Sequence, residues 1–171
     1  MRKRRAFTLI ELVAVVLILG ILAAIAAPKV FRGSDDAGEA ALRQNLAVIR
    51  DAIELYALEH DGNFPGATSD GTNAAGTEQA FKNQLLMYTS ATGEVSPVRD
   101  AAHPYGPYLR KNFPKAPVGP MKGTDTVTVV GDGQPLSGDN TSAWKYDYTT
   151  GEFILNSNQT SSDGSTTYDQ F

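Results

Sequence analysis

The chain has no cysteine, only two histidines and a single tryptophan in 171 residues. Without cysteine there is no disulfide staple, no thiol nucleophile and no thiolate metal site. His60 and His103 are too far apart to set a metal-ligand spacing, and no serine stands beside either as a nucleophile partner. Their carboxylate neighbours, Asp61 and Asp100, make only isolated pairs, so the sequence reads as non-enzymatic. His60 fits the end of a helix, where a partial positive charge is favoured. Basic residues are scarce as well. Four of the 15 stand at Arg2–Arg5, so beyond residue 6 acids outnumber bases by about eight. Such an acidic surface excludes nucleic acid, whose phosphates need a basic face. The length leaves room for one sizeable globular domain.

What is present is concentrated at the start. Arg2, Lys3, Arg4 and Arg5 lead through Ala6 into an apolar run from Phe7 to Ala27, interrupted by one ionisable residue, Glu11. A helix of that length rises about 30 Å, the thickness of a bilayer's hydrocarbon core. The basic flank sets its start on the cytoplasmic side and everything after Ala27 across the membrane. A carboxylate in such a segment is costly unless something partners it. A cleaved secretory signal would have a shorter apolar core ahead of a small-residue cleavage site. A plain signal anchor accounts for the length and the basic flank but gives Glu11 no role.

The segment Arg5-Ala6-Phe7-Thr8-Leu9-Ile10-Glu11-Leu12 closely resembles the leader and cleavage motif of type IV prepilins and type II secretion pseudopilins, over roughly residues 1–60. The family usually has glycine before the cut; here Ala6, the next smallest residue, stands there. The resemblance implies cleavage by a prepilin peptidase between Ala6 and Phe7, then N-methylation of Phe7. It also implies that Glu11 pairs with the Phe7 amine of a neighbouring subunit as subunits join a filament. Two opposite charges buried together offset each other's desolvation, whereas a lone one does not.

Beyond the apolar run, Pro28 predicts a kink, and Gly33, Ser34 and Gly38 make weak helix. Leu42, Leu46, Ile49, Ile53 and Tyr56 then recur at helical spacing and mark one apolar face, with Arg43, Arg50, Asp51, Glu54 and Glu59 mostly off it. Asp61-Gly62 and Pro65 stop the helix, which would be about 80 Å long if continuous from Phe7 to His60. A short helix is expected over Thr77–Ser90, with Thr77 as N-cap and Phe81, Leu85 and Tyr88 on one face. Residues 91–123 read as proline- and glycine-rich loop. Val127–Val130, Ala143–Tyr148 and Glu152–Asn156 read as strands, the last two joined by a turn in which Gly151 takes positive φ.

The expected fold is therefore α+β and pilin-like: a long N-terminal helix, half transmembrane and half amphipathic, packed on a small antiparallel sheet. Its plan is a leader (1–6), a transmembrane or filament-core helix (7–27), an amphipathic continuation (28–62), a head (63–156) and a polar, flexible tail (157–171). Gly106-Pro107-Tyr108-Leu109-Arg110-Lys111, Pro114-Lys115-Ala116-Pro117 and Gly62-Asn63-Phe64-Pro65 resemble segments of the major pseudopilin of type II secretion. The insertion 67–77 and the stretch 127–140 depart from its compact form. That resemblance implies a calcium ion in a C-terminal loop, with Asp163 and Asp169 as candidate ligands; a merely solvated polar tail is the competing reading. It further implies an inner-membrane protein with a cytoplasmic N-terminus and a periplasmic head. Its partners would be further copies of itself, minor pseudopilins, the prepilin peptidase and an inner-membrane assembly platform. Two alternatives stay open: a type IV pilin for adhesion, motility or DNA uptake, and a single-pass anchored binding protein.

Overall fold

The computed structural model describes residues 8–110 and 112–171, and within its first helix the side chains of residues 25–35 lie outside the description. Ala6 and Phe7, the expected processing pair, lie outside the described residues, as do Lys111 and the side chain of Pro28. Helix α1 runs Leu9–Glu59, its backbone helical through position 28. It is followed by α2 (Glu78–Leu86), β1 (Tyr88–Thr89), β2 (Val95–Ser96), β3 (Val127–Val130), β4 (Trp144–Asp147), β5 (Phe153–Leu155) and a closing 3-10 turn at Tyr168–Gln170. The chain divides into two compact units, Met1–Ala37 and Gly38–Phe171.

In the second unit the apolar stripe of α1 forms one wall of the core. Leu42, Leu46, Ile49, Ile53 and Tyr56 are each 1 % exposed or less. Opposite them lie Phe81 and Leu85 of α2, Trp144 and Tyr146 of β4, and Phe153 and Leu155 of β5. Aromatic rings dominate: Phe81 stacks on Tyr146 at 4.1 Å between centroids, and Trp144 lies 5.3 Å from Phe153. The polar ends of these rings are satisfied, since Trp144 Nε1 donates to Pro114 O (3.0 Å) and Tyr146 Oη to Pro65 O (2.8 Å). Gly38 has a packing reason as well as a low helix propensity. A Cβ there would meet Val118 Cγ1 at 2.7 Å. The helix ends in a Schellman arrangement, with Gly62 N donating to Ala57 O (2.8 Å) and Gly62 at φ 84°.

Thr77 caps α2 as expected, its Oγ1 accepting from Ala80 N at 3.3 Å. The helix stops at Leu86 rather than Ser90 because Tyr88 and Thr89, good strand formers, pair with Val95–Ser96. The sheet differs from expectation. β4 and β5 are antiparallel, but β3 runs parallel to β4, with Val127 opposite Trp144, so the sheet is mixed rather than antiparallel. Parallel neighbours need a crossover. Residues 131–143 supply it, with Gly133 N donating to Asp147 Oδ2 (2.9 Å) and Leu136 N to Glu152 Oε2 (3.0 Å). This crossover covers Asp147, which is fully buried. The β4–β5 turn does carry Gly151 at φ 76°, where a Cβ would strike Phe64 at 2.5 Å.

Among the described residues no helix is long and apolar enough to cross a membrane.

The packing predicts how two substitutions separate. Phe81→Ala, at a fully buried ring, should cost about 3–5 kcal/mol, while Leu58→Ala, at a side chain 80 % exposed, should stay within about 0.5 kcal/mol of the parent. Urea unfolding followed through the fluorescence of Trp144 measures both.

Candidate functional site

Glu11 lies in the first turn of α1, and its position follows from a four-residue pattern. Thr8 immediately precedes the helix and Glu11 is the third residue within it, the Thr-x-x-Glu spacing of a capping box. The bonds are reciprocal. Glu11 N donates to Thr8 Oγ1 at 3.3 Å, while Thr8 N and Thr8 Oγ1 donate to Glu11 Oε2 at 2.9 and 2.8 Å. The carboxylate thus satisfies one of the orphan amides at the helix start and stands where the helix dipole favours negative charge. Thr8 is a functional residue that the sequence reading passed over. Its signal was present, because a Thr three places before Glu at the head of an apolar helix is the capping signature.

Around this charged start the helix is apolar on every side. Leu9 (83 %), Ile10 (76 %), Leu12, Val13, Val16, Leu17 and Leu19 are all largely exposed. A helix apolar all round buries its surface in a membrane or among other helices.

The remaining candidates lie in the second unit. Asp163 Oδ1 accepts from Ser161 Oγ (2.5 Å), Ser165 N (2.9 Å) and Ser165 Oγ (2.8 Å). Those hydrogen bonds, Ser161 foremost, pull its pKa down to about 2. Asp169 accepts from Thr167 Oγ1 (2.5 Å) on one oxygen and from Gly138 N (2.9 Å) on the other. Asp163 ties up its own stretch of tail and Asp169 joins the tail to Gly138 of the crossover, and among the described residues no group of three histidines or acids is placed to hold a metal ion.

Residues 157–171, expected to be a polar, flexible tail, are joined by main-chain bonds. Thr160 bridges to Thr167, Asp169 N donates to Ser157 O (3.1 Å), and Tyr168 is buried. Three residues of α1 reach this tail, Glu39, Arg43 and Arg50, and none is marked by any local sequence pattern. His60 is buried with its ring flat on Tyr56, its nitrogens 2.8 Å from Tyr56 O and 3.0 Å from Ser90 O. His103 Nδ1 lies 2.9 Å from Asp100 Oδ1 in a loop.

Comparison with known proteins bears on the N-terminal segment first. Residues 1–27 match the prokaryotic N-terminal methylation motif. The chain is 39 % identical over 59 residues to the type II secretion system core protein G of Pseudomonas aeruginosa, a match covering 34 % of this chain and 42 % of that protein. It is 26 % identical over 153 residues to the protein of the same name from Klebsiella pneumoniae, covering 84 % of this chain and 96 % of that one. Over 62 residues it is 44 % identical to prepilin peptidase-dependent protein D of Escherichia coli, 36 % of this chain and 42 % of that protein. The chain therefore spans about two fifths of the first and third of these relatives and nearly all of the second. No solved structure matches. The resemblance read from the sequence, to the pilin-like and type II secretion pseudopilin family, is borne out.

The capping box is open to a direct check. Thr8→Val removes the hydroxyl but keeps the shape, and loss of such a cap costs about 1 kcal/mol, or roughly five-fold in the local opening equilibrium. Amide exchange at residues 9–12, followed by NMR in detergent micelles, should speed up by about that factor, while Thr8→Ser should leave it near the parent rate.

Proposed function

We propose that this chain is a pseudopilin: a structural filament subunit of a type II secretion system, held in the inner membrane by its N-terminal helix and assembled through that helix to drive protein export. The observation that carries this reading is the methylation motif over residues 1–27, leading into a helix whose apolar side chains are exposed on every side. The match along most of the chain to a core protein G extends it to the head. The role is mechanical rather than enzymatic.

In this reading Arg2–Arg5 stay in the cytoplasm, the peptidase cuts between Ala6 and Phe7, and Phe7 is methylated on its new amine. The segment 7–27 is the membrane span of the waiting subunit and the packed core of the filament. The plan continues through the amphipathic segment 28–62, the head 63–156 and the tail 157–171, with the head in the periplasm and Pro28 as the point where the helix bends. Prepilin peptidase, an inner-membrane assembly platform and minor pseudopilins are its partners besides further copies of itself.

Glu11 then has two partners in two places. Within the subunit, both Thr8 contacts fall on Oε2. The other oxygen, Oε1, takes the Phe7 amine of a neighbouring subunit in the filament, so the cap does not have to break for the pair to form. The buried pair needs both members, because a lone charge in that apolar core goes uncompensated.

A second reading, a type IV pilin for adhesion, motility or DNA uptake, draws on the match to the Escherichia coli prepilin peptidase-dependent protein. The absence of cysteine weighs against it, since many such pilins close their C-terminal region with a disulfide.

Glu11→Ala tests the assembly role. The variant should insert and be processed like the parent, yet its crosslinked multimers in host membranes should fall by about ten-fold or more, as loss of a buried partner implies. Multimers at parental levels would remove Glu11 from assembly.

A further inference from the structure

Calcium takes six to eight oxygen ligands, among them carboxylates whose lone pairs face the ion. The tail residues do not fit that requirement. Both oxygens of Asp169 accept N–H or O–H donors, and one oxygen of Asp163 accepts three. Three donors on Asp163 Oδ1 and one on each oxygen of Asp169 compete for lone pairs that a calcium ion would use. Asp169 ties the tail to Gly138 of the crossover instead, and something more holds it in place.

That something comes from α1. Glu39, 6 % exposed, directs Oε1 at the tail, where it accepts from Ser162 N at 2.6 Å and from Tyr168 Oη at 3.3 Å. Eleven residues further along the same helix, Arg50 donates from Nη2 to Phe153 O and to Phe171 O, both at 2.9 Å, and from Nε to Phe153 O at 3.1 Å. One guanidinium thus joins a main-chain oxygen of β5 to a main-chain oxygen of the tail. Between the two, the Arg43 guanidinium lies 4.5 Å from the centre of the Phe171 ring. Eleven residues are about three helical turns, or roughly 16 Å, so acceptor and donors reach the tail from two separated points on one helix. A rigid helix that supplies a carboxylate at one point and a forked cation at the other fixes both position and direction of a short segment.

We propose that Glu39 and Arg50 clamp residues 157–171 to α1, with Arg43 seated on Phe171, and that this clamp keeps the tail in place without calcium. The guanidinium of Arg50 draws main-chain oxygens from two segments together, as a bound cation would. The inference is independent of the filament reading, because every residue in it belongs to the unit Gly38–Phe171.

Hydrogen–deuterium exchange of the tail peptides, read by mass spectrometry on the full chain in detergent micelles, tests it. The unsubstituted protein should give the same tail exchange in chelator as in millimolar calcium. Glu39→Met and Arg50→Met, which remove the acceptor and the donors, should each speed it by about ten-fold or more, with the helix 42–56 still protected. Asp163→Asn, which keeps an acceptor oxygen in place, should change little. Calcium that slows tail exchange ten-fold in the unsubstituted chain, an effect lost in Asp163→Asn, would overturn the proposal. So would parental tail exchange in both Glu39→Met and Arg50→Met. The calcium comparison needs no variant, so a substitution that fails to fold cannot hide the answer.

Discussion

The contact on which the head depends is the apolar stripe of α1 from Leu42 to Tyr56. Those five side chains are almost wholly out of solvent, and residues of α2, β3, β4, β5 and the closing 3-10 turn join them in one core. Because the stripe belongs to a helix, it is rigid over about 20 Å, which lets short elements of two to four residues build a sheet on it. A two-residue strand such as β1 has no independent stability. Here it is held by main-chain bonds to β2 and to Tyr105. The flanking polar residues on the same helix then do a different task, with Glu39 and Arg50 reaching past the apolar wall to the tail.

The N-terminal part of α1 is built on another rule. Over residues 9–24 it has no separate polar face but an apolar surface on all sides with one charge near its tip. That charge is not stranded, since Thr8 gives it two hydrogen bonds within its own turn. A capped carboxylate at a helix start is easier to keep in an apolar setting than a bare one, and a second oxygen remains for an outside amine. The same four residues thus serve the free subunit and, in the proposed filament, the joined one.

The stripe, the Thr77 cap, the end of α1 at Asp61-Gly62, the three strands and the Gly151 turn were legible in the sequence, because each is a local pattern of period, cap or turn. The parallel pairing of β3 with β4 was not. A strand's direction within a sheet is set by the path of the connection, and residues 131–143 have no periodicity to announce a crossover. The burial of Asp147 follows from the same crossover, since alternation marks a face but not what later covers it. The tail's partners were hidden differently. Its serines, threonines and aspartates have the composition of solvated loop, and the groups that hold it lie more than 100 residues away at Glu39 and Arg50. Thr8 was legible and overlooked, because Glu11 drew attention toward a partner outside the subunit.

The central claim is that this chain is processed and assembled as a pseudopilin, and the state of its first residue tests that most directly. Intact mass and N-terminal fragmentation of the protein extracted from its host's membranes should show a chain beginning at Phe7 and carrying one methyl group on the amine. A chain that still begins at Met1, unmodified, would contradict the account and leave the N-terminal helix as an anchor alone.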